Sequence, residues 1–410
     1  MTLTHGLGRL VGRDPKEAHR SATPLELLFD LTFVVAFSQA GAQAAHLLEL
    51  GHTIPAVVGF AIAVFAVTWA WINFSWLASA FDTDDAFFRI ATFVQMIGVA
   101  VLAIGLPPFF HSLDEGHHVD NSVMIAGYVI MRVALIALWL RVAAHSAEHR
   151  RTALTYAVGV AIVQIGWVVA IIANPPLWAG LTLMICLGAL EMLVPVIAER
   201  GSRRTPWHPH HIAERYGLRV IITLGEVILG TVLAISAVVE SAGWTLDAGL
   251  VAFGGMLLAF AMWWAYFTVP AARVLDARPE RSFAWGYIHI ALFGSVAAVG
   301  AGLHVAAYVI AGDAHVDTTF ALLTIALPVL LFTIVLGVVY AMLIGRFDGF
   351  HAWLLAGSVA VLAIAVAVSA AGASLGVTIV IAALAPLVVV VGYERVGHRH
   401  LAADLARLAA

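Results

Sequence analysis

The chain is poor in charged residues and nearly free of cysteine. Charged residues make up 11% of its 410 residues, against roughly 25% in an ordinary soluble domain, and hydrophobic residues make up 62%. This composition excludes a soluble globular domain and indicates a membrane protein with several spans. The single cysteine, Cys186, excludes a disulfide bond within the chain, and we expect it to be a small buried residue. The net charge of −4 does not indicate a nucleic-acid partner.

Sequence motifs of common enzymes and cofactor sites are also missing. There is no phosphate-binding loop, nucleophile elbow, dinucleotide fingerprint or zinc motif, so we assign no catalytic residue, no cofactor and no metal. His208, His210 and His211, followed by Glu214, have helical spacings that suit a metal. Histidine is common beside membranes, however, and the diagnostic zinc spacings are absent.

Twelve segments are long and apolar enough to cross a membrane. Because a helix of about 20 apolar residues spans the hydrocarbon core, we predict an all-α, polytopic integral membrane helical bundle of about 12 transmembrane helices. The predicted spans lie near residues 24–46, 55–80, 86–110, 122–145, 153–173, 177–198, 211–236, 246–270, 283–310, 317–345, 349–371 and 375–394.

Basic residues alternate from loop to loop. Cytoplasmic loops collect Lys and Arg, and here loops 111–121 and 311–316 hold neither. We therefore expect both termini to be cytoplasmic and the first span to be retained. One Lys among 21 basic residues is typical of a high-GC bacterium, so the expected location is a bacterial plasma (inner) membrane. The residues that define the inner side are Arg9, Arg13, Lys16, Arg20, Arg89, Arg150, Arg151, Arg200, Arg203, Arg204, Arg273, Arg278, Arg281, Arg346, Arg395, Arg399 and Arg407.

Several features recur at a nearly constant offset along the chain. Glu26 and Glu214 begin spans one and seven, and Trp71 and Trp264 lie late in spans two and eight, where we expect packing or interface anchors. These offsets, with Gln95 and His289 as a third pair, predict a 6+6 parallel repeat. The predicted organisation is a tail (1–23), a first six-helix half (24–198), a linker (199–210), a second half (211–394) and a tail (395–410).

Ionisable residues lie inside the predicted spans, where a charge costs about 2.5–3.5 kcal/mol. Such residues face protein or water and are paired, so they indicate a polar site within the bundle. Several fall roughly 9–12 Å from the inner end at about 1.5 Å per residue, which predicts a polar vestibule beneath a mostly apolar outer half. The predicted intramembrane polar site comprises Glu26, Asp30, Arg132, Glu191, Glu214, Arg215, Arg219, Glu226 and His289.

Helix one offers two interpretations of its acidic residues. Residues 23–26 have the pattern of a capping box, in which Glu26 closes the start of the helix. Asp30 lies one turn further in, too deep for a cap, and requires a partner. We expect that partner to be a cation or histidine from another helix, with Arg219, Arg132 and His289 as candidates.

Helix seven places Arg215, Arg219 and Glu226 on one stripe, with Glu214 turned about 100° away. Arg219 and Glu226 belong either to a functional ionic network or to a lock between helices. His289 is either a proton relay or a packing residue.

Two segments resemble a known family. Residues 23–39 (TPLELLFDLTFVVAFSQ) and 211–226 (HIAERYGLRVIITLGE) are similar to the signature segments of the bacterial low-temperature-requirement protein A family. The resemblance implies a bacterial membrane protein and supplies no reaction. The residues that match the family pattern are Glu26, Asp30, Glu214, Arg215, Gly217, Glu226 and His289.

A shorter resemblance concerns residues 29–36 (FDLTFVVA), which are similar to the first-helix motif of endolysosomal potassium channels and their bacterial relatives. Those channels are also built from six-helix units. Their motif has Ser before Asp, where this chain has Phe29, and this difference counts against a pore-lining role. The resemblance keeps a cation channel among the alternatives.

The leading expectation is a transporter of a small solute or ion, with proton coupling through Asp30, Glu226 and His289. A cation channel, assembled as a homodimer from six-helix repeats, is one alternative, although the sparse polar residues of the outer half count against an open pore. A membrane-embedded enzyme or lipid-handling protein with a cytoplasm-facing site is the other, although no nucleophile or metal set is present. The expected partners are the lipid bilayer and the small solute or ion.

Overall fold

The computed structural model describes residues 8, 10, 12–14, 17, 20–200, 204–346 and 349–409. Arg9, Lys16 and Arg203, which the orientation prediction uses, lie outside these residues. The described residues form fifteen α-helices and contain no β-strand. The helices are α1 (Pro24–Glu49), α2 (Thr53–Phe81), α3 (Ala86–Ile104), α4 (Leu106–Glu115), α5 (Ser122–His145), α6 (Arg150–Ala173), α7 (Leu177–Ala198), α8 (Pro209–Ala242), α9 (Leu246–Phe267), α10 (Ala271–Ala277), α11 (Ser282–Ala311), α12 (Thr318–Ile344), α13 (Gly349–Ala370), α14 (Leu375–Gly392) and α15 (His398–Ala409).

Twelve helical segments are long and apolar enough to cross a membrane, which confirms the predicted all-α bundle of 12 spans. Some segments combine neighbouring helices, such as α3 with α4 over Ala86–Glu115. Large apolar side chains such as Ile172 and Ile185 are exposed on these helices, as expected for surfaces that contact lipid. The chain is therefore a multi-pass membrane protein.

Capping residues define where many of the helices begin and end. Asp85, Thr245, Asp317 and Ser374 precede α3, α9, α12 and α14, and each side chain accepts a hydrogen bond from a backbone N–H of the first turn. Gly312 ends α11 in the left-handed conformation, with φ of 82°. These caps satisfy backbone groups at the ends of the spans.

The third span is interrupted at Gly105, which separates α3 from α4. Gly105 lies directly against the backbone of Met124, so a side chain at this position has no space. The helix then continues to Glu115, and the predicted outer loop 111–121 begins as helix.

The first compact unit comprises residues 1–40 and 65–215. Within it, α3 packs on α5, α5 on α6, and α6 on α7. A Cβ atom on Gly98 of α3 would lie 2.7 Å from the carbonyl oxygen of Gly127 on α5, so these two helices approach backbone to backbone.

The second compact unit comprises residues 41–64 and 216–410. Its helices α11 and α12 pack together, α9 packs on α14, and α13 packs on α12 and α14. A Cβ atom on Gly300 of α11 would lie 2.7 Å from the carbonyl oxygen of Glu226 on α8. The predicted 6+6 parallel repeat stays a prediction.

Cys186 lies within the span formed by α7, as predicted, but the expectation that it is buried was wrong. It is exposed beside Ile185, whereas Met184 and Leu187 are buried on the opposite side of the helix. A small apolar residue is as well accommodated by lipid as by protein, so its burial does not follow from its polarity.

Candidate functional site

Five fully buried side chains of the first unit form the candidate site, and we call them the Arg215 cluster. They are Glu26, Asp30, Trp71, His211 and Arg215, each with no exposed surface. Glu26 and Asp30 are four residues apart on α1, and His211 and Arg215 are four residues apart on α8, so each pair occupies one helix face. The cluster therefore joins α1, α2 and α8.

Arg215 bridges the two carboxylates of α1. Its Nη1 donates to Glu26 Oε1 at 2.8 Å, and its Nη2 donates to Asp30 Oδ1 at 2.5 Å. The guanidinium group has a fixed fork of donors, so one arginine can hold two oxygens on successive turns of a neighbouring helix. The prediction that Asp30 contacts a cation from another helix is confirmed, although Arg215 was not among the expected partners.

Trp71 supplies a second donor to Asp30, and sequence reasoning did not foresee this role. Its indole Nε1–H donates to Asp30 Oδ1 at 2.6 Å. The Arg215 Cζ atom also lies 5.6 Å from the centroid of the Trp71 ring, within the range of a cation–π contact. Sequence spacing identifies neighbours on one helix, and it contains no signal for a contact between α1 and α2.

Glu26 has both of the roles considered for it. The capping box is confirmed, since the Thr23 N–H donates to Glu26 Oε2 at 2.8 Å and the Glu26 N–H donates to Thr23 Oγ1 at 3.2 Å. His211 Nε2 lies 3.2 Å from the same carboxylate. Glu26 thus closes the start of α1 and pairs with Arg215 and His211.

Arg20 and Asp82 lie beside the cluster, outside the spanning helices. The Arg20 guanidinium donates to the carbonyl oxygens of Ser79 and Ala78 and lies 4.0 Å from Asp82 Oδ2. Burial and the nearby negative charge of Glu26 raise the pKa of Asp82 to about 6. Burial lowers the pKa of Arg20 to about 10, so Arg20 is still protonated at neutral pH.

The charges within the Arg215 cluster are unequal. Glu26 and Asp30 bring two carboxylates, and Arg215 brings one guanidinium. The His211 ring adds a contact to Glu26. An uncompensated buried carboxylate is too costly, so the site depends on the cations and donors that surround both carboxylates.

Arg132 and Glu191 form a separate buried set in the same unit. Arg132 Nη2 donates to Glu191 Oε2 at 3.1 Å, and the Tyr128 hydroxyl donates to the same oxygen. Gln164 Nε2 donates to Glu191 Oε1 at 2.5 Å. The expectation of a carboxylate partner for Arg132 is confirmed, so Arg132 was a wrong candidate for the partner of Asp30. Here one cation meets one carboxylate across α5, α6 and α7.

Glu214 does not join the Arg215 cluster. It is exposed on the second turn of α8, whereas Arg215 beside it is fully buried. This placement agrees with the predicted rotation of about 100° between consecutive helix positions. Of the predicted site residues, Glu26, Asp30 and Arg215 come together, and Arg132 pairs with Glu191.

Arg219, Glu226 and His289 belong to the second unit, where all three are buried. The His289 Nδ1 lies 2.7 Å from the Trp285 carbonyl, which only accepts hydrogen bonds, so Nδ1 carries the proton. The Tyr266 hydroxyl then donates to Nε2 across 3.2 Å. Both ring nitrogens of His289 are therefore satisfied among aromatic side chains.

His208, directly before α8, forms its side-chain hydrogen bonds with backbone groups. His208 Nδ1 accepts from the His211 N–H at 3.3 Å, and Nε2 donates to the Glu17 carbonyl at 2.7 Å. Across the described residues, no group of three or more His, Cys, Asp or Glu side chains has a metal-binding arrangement.

Comparison with known proteins assigns a family to most of the chain. The family model of the bacterial low temperature requirement A protein (LtrA) matches residues 21–386, which include the whole Arg215 cluster. An uncharacterized protein of Rhizobium meliloti (strain 1021) is 27% identical over 301 residues. That match covers 66% of this chain and 66% of the relative, so the chain spans just under two thirds of the relative's length. No solved structure matches the chain.

Proposed function

The chain belongs to the bacterial low temperature requirement A (LtrA) family, and we propose that it is a secondary transporter of a small solute or ion in the plasma membrane. The observation that carries this proposal is Arg215, which is fully buried and holds two carboxylates of α1. We also propose that both termini are cytoplasmic, because of the alternation of basic loops.

The contrast between two buried ionic sets supports a functional role for the Arg215 cluster. Arg132 meets a single carboxylate, Glu191, and such a balanced pair can serve simply to hold helices together. Arg215 contacts two carboxylates on successive turns of α1, so a proton on either carboxylate changes how Arg215 is held. Ionisable residues of this kind within spans are typical of proton relays and substrate pathways.

Proton coupling follows from the chemistry of Asp30. When Asp30 is ionised, it accepts from both Arg215 and Trp71. A proton on Asp30 removes its attraction for the guanidinium and leaves Arg215 held by Glu26 alone. We propose that this change alters how α1 and α8 are held during transport, with Glu226 and His289 as further coupling residues in the second unit.

Solid-supported membrane electrophysiology on proteoliposomes tests this function. Amino acids, organic acids and monovalent cations are applied with and without an inward proton gradient. The expected result is a transient current for at least one solute, which the proton gradient increases in the wild type and in Glu214→Gln but not in Asp30→Asn. Glu214→Gln is the matched control, because this carboxylate on α8 is exposed.

Two outcomes would contradict the proposal. A steady cation conductance that is independent of the proton gradient would favour the channel alternative. Equal proton-driven currents in Asp30→Asn and the wild type would remove Asp30 from the coupling mechanism.

A further inference from the structure

A cavity of about 540 Å³ lies in the second unit, and none of its lining residues belongs to a charged cluster described above. It is lined by the ends of α12 and α14, the start of α13 and the residues that follow α9. Ligand pockets commonly have volumes of about 300–1,000 Å³, so this space is large enough for part of a lipid molecule. From Thr333 to Met342, its lining follows α12 over about 14 Å at 1.5 Å per residue.

The lining of the cavity is mostly apolar, and its side chains with polar groups are Thr268, Thr333, Tyr340, His351 and Tyr393. The hydroxyl groups of Thr268 and Thr333 donate to carbonyl oxygens of their own helices, at 2.8 and 2.9 Å. Ile334 and Val338 line the cavity and are also exposed, so it reaches the outer surface of α12 within a membrane span. An occupant that enters from this side comes from the hydrocarbon phase of the bilayer.

Basic residues follow the helix ends that close the cavity. Tyr393 and Gly397 line it, and Arg395 lies between them in a single π-helical turn that leads into α15. Helix α15 packs on α10, which adds a further exposed arginine. The exposed or half-buried arginines at this end include Arg273, Arg278, Arg281, Arg346, Arg395 and Arg399, and the described acidic residues there include Asp276, Glu280 and Glu394.

Arg281 and Glu394 at this end contact other parts of the protein. Arg281 donates to the carbonyl oxygens of Met342 and Leu343, and Glu394 accepts from Trp264 Nε1 at 3.2 Å. Arg395 and Arg399 are exposed within two residues of the lining residues Tyr393 and Gly397, and their positive charge favours an anion.

We propose that the cavity binds an acyl chain of an anionic phospholipid, whose phosphate contacts Arg395 and Arg399. The mostly apolar cavity is suited to the acyl chain, and the two arginines are suited to the negatively charged headgroup. This site is separate from the Arg215 cluster, and the proposal does not depend on the transport function.

Native mass spectrometry of the full chain in mild detergent tests the site, with phosphatidylglycerol and phosphatidylcholine as probes. Ala341→Phe fills the cavity, and Val338→Phe blocks its exposed mouth without filling the interior. Ala360→Phe is the matched control, since Ala360 is exposed on α13 and does not line the cavity. Loss of the contact between the lipid acyl chain and the cavity should weaken phosphatidylglycerol binding at least about tenfold in both cavity variants.

The headgroup contact is tested by the double substitution Arg395→Gln and Arg399→Gln, with Arg151→Gln on α6 as control. Because each arginine near a membrane surface favours anionic lipid, the double variant should bind phosphatidylglycerol roughly 10–30-fold more weakly, with phosphatidylcholine unchanged. Equal binding of the two lipids by the wild type would overturn the assignment of an anionic headgroup. Unchanged binding in Val338→Phe, or in a folded Ala341→Phe, would show that the lipid lies elsewhere on the protein.

Discussion

Arg215→Met is the substitution that most directly probes the energetics of the Arg215 cluster. Methionine keeps much of the side-chain length and removes the charge and both donors. Glu26 and Asp30 then lose their shared guanidinium inside a fully buried site. Removing one partner from a buried ion pair typically costs about 3–5 kcal/mol, because a charge is left without compensation. We expect the free energy of unfolding to fall by that amount.

The compensated variant separates this explanation from simple loss of packing. In Glu26→Gln, Asp30→Asn and Arg215→Met combined, no carboxylate is stranded. The new amide oxygens can still accept from the Thr23 N–H and from Trp71 Nε1. Replacement of a whole buried ionic group is often close to neutral, so the triple variant should lie within about 2 kcal/mol of the wild type.

Equilibrium unfolding in mixed micelles with increasing SDS provides the free energies. Arg151→Met is the control, because Arg151 is exposed on α6 and its loss should change stability by no more than about 0.5 kcal/mol. The reasoning is refuted if Arg215→Met behaves like Arg151→Met. It is also refuted if the triple variant is as unstable as Arg215→Met alone.

Further substitutions test neighbouring contacts. Burial raises the pKa of Asp82 to about 6, so the folded state binds a proton on this carboxylate more tightly than the unfolded state does. The free energy of unfolding should therefore fall by up to about 3 kcal/mol as the pH rises from about 4 to 6. Asp82→Asn should remove this fall in unfolding titrations, and an identical pH profile would contradict the assignment. Trp71→Phe removes one hydrogen bond to Asp30 and should cost about 1.5–3 kcal/mol in the same unfolding assay, so no change would refute that contact. Glu191→Gln strands Arg132 and should cost about 3–5 kcal/mol, with recovery in the double variant with Arg132→Met, and absence of recovery would argue against the pair.

The sequence predicts the membrane spans well because their signal is local. An apolar stretch of spanning length is helical in lipid, where each backbone group must be satisfied within the segment. The capping box at residues 23–26 and the outward rotation of Glu214 are likewise set by positions a few residues apart on one helix. These features can therefore be predicted from the sequence alone.

Contacts between different helices cannot be predicted from such local patterns. Asp30 was expected to meet a cation, since an ionised carboxylate inside a span requires one. The packing of α1, α2 and α8 determines that the cation is Arg215. The same packing places the indole of Trp71 as a second donor to Asp30. The exposure of Cys186 had the same cause, because polarity does not distinguish a lipid-facing position from a buried one.

The central proposal is that Asp30 couples proton movement to solute transport, and uptake by proteoliposomes tests it most directly. Once a transported solute is known, two modes are compared in the wild type and in Asp30→Asn: accumulation driven by a proton gradient, and exchange of labelled for unlabelled solute without a gradient. The proposal predicts that Asp30→Asn retains exchange and loses proton-driven accumulation. Proton-driven accumulation at the wild-type rate in Asp30→Asn would contradict it.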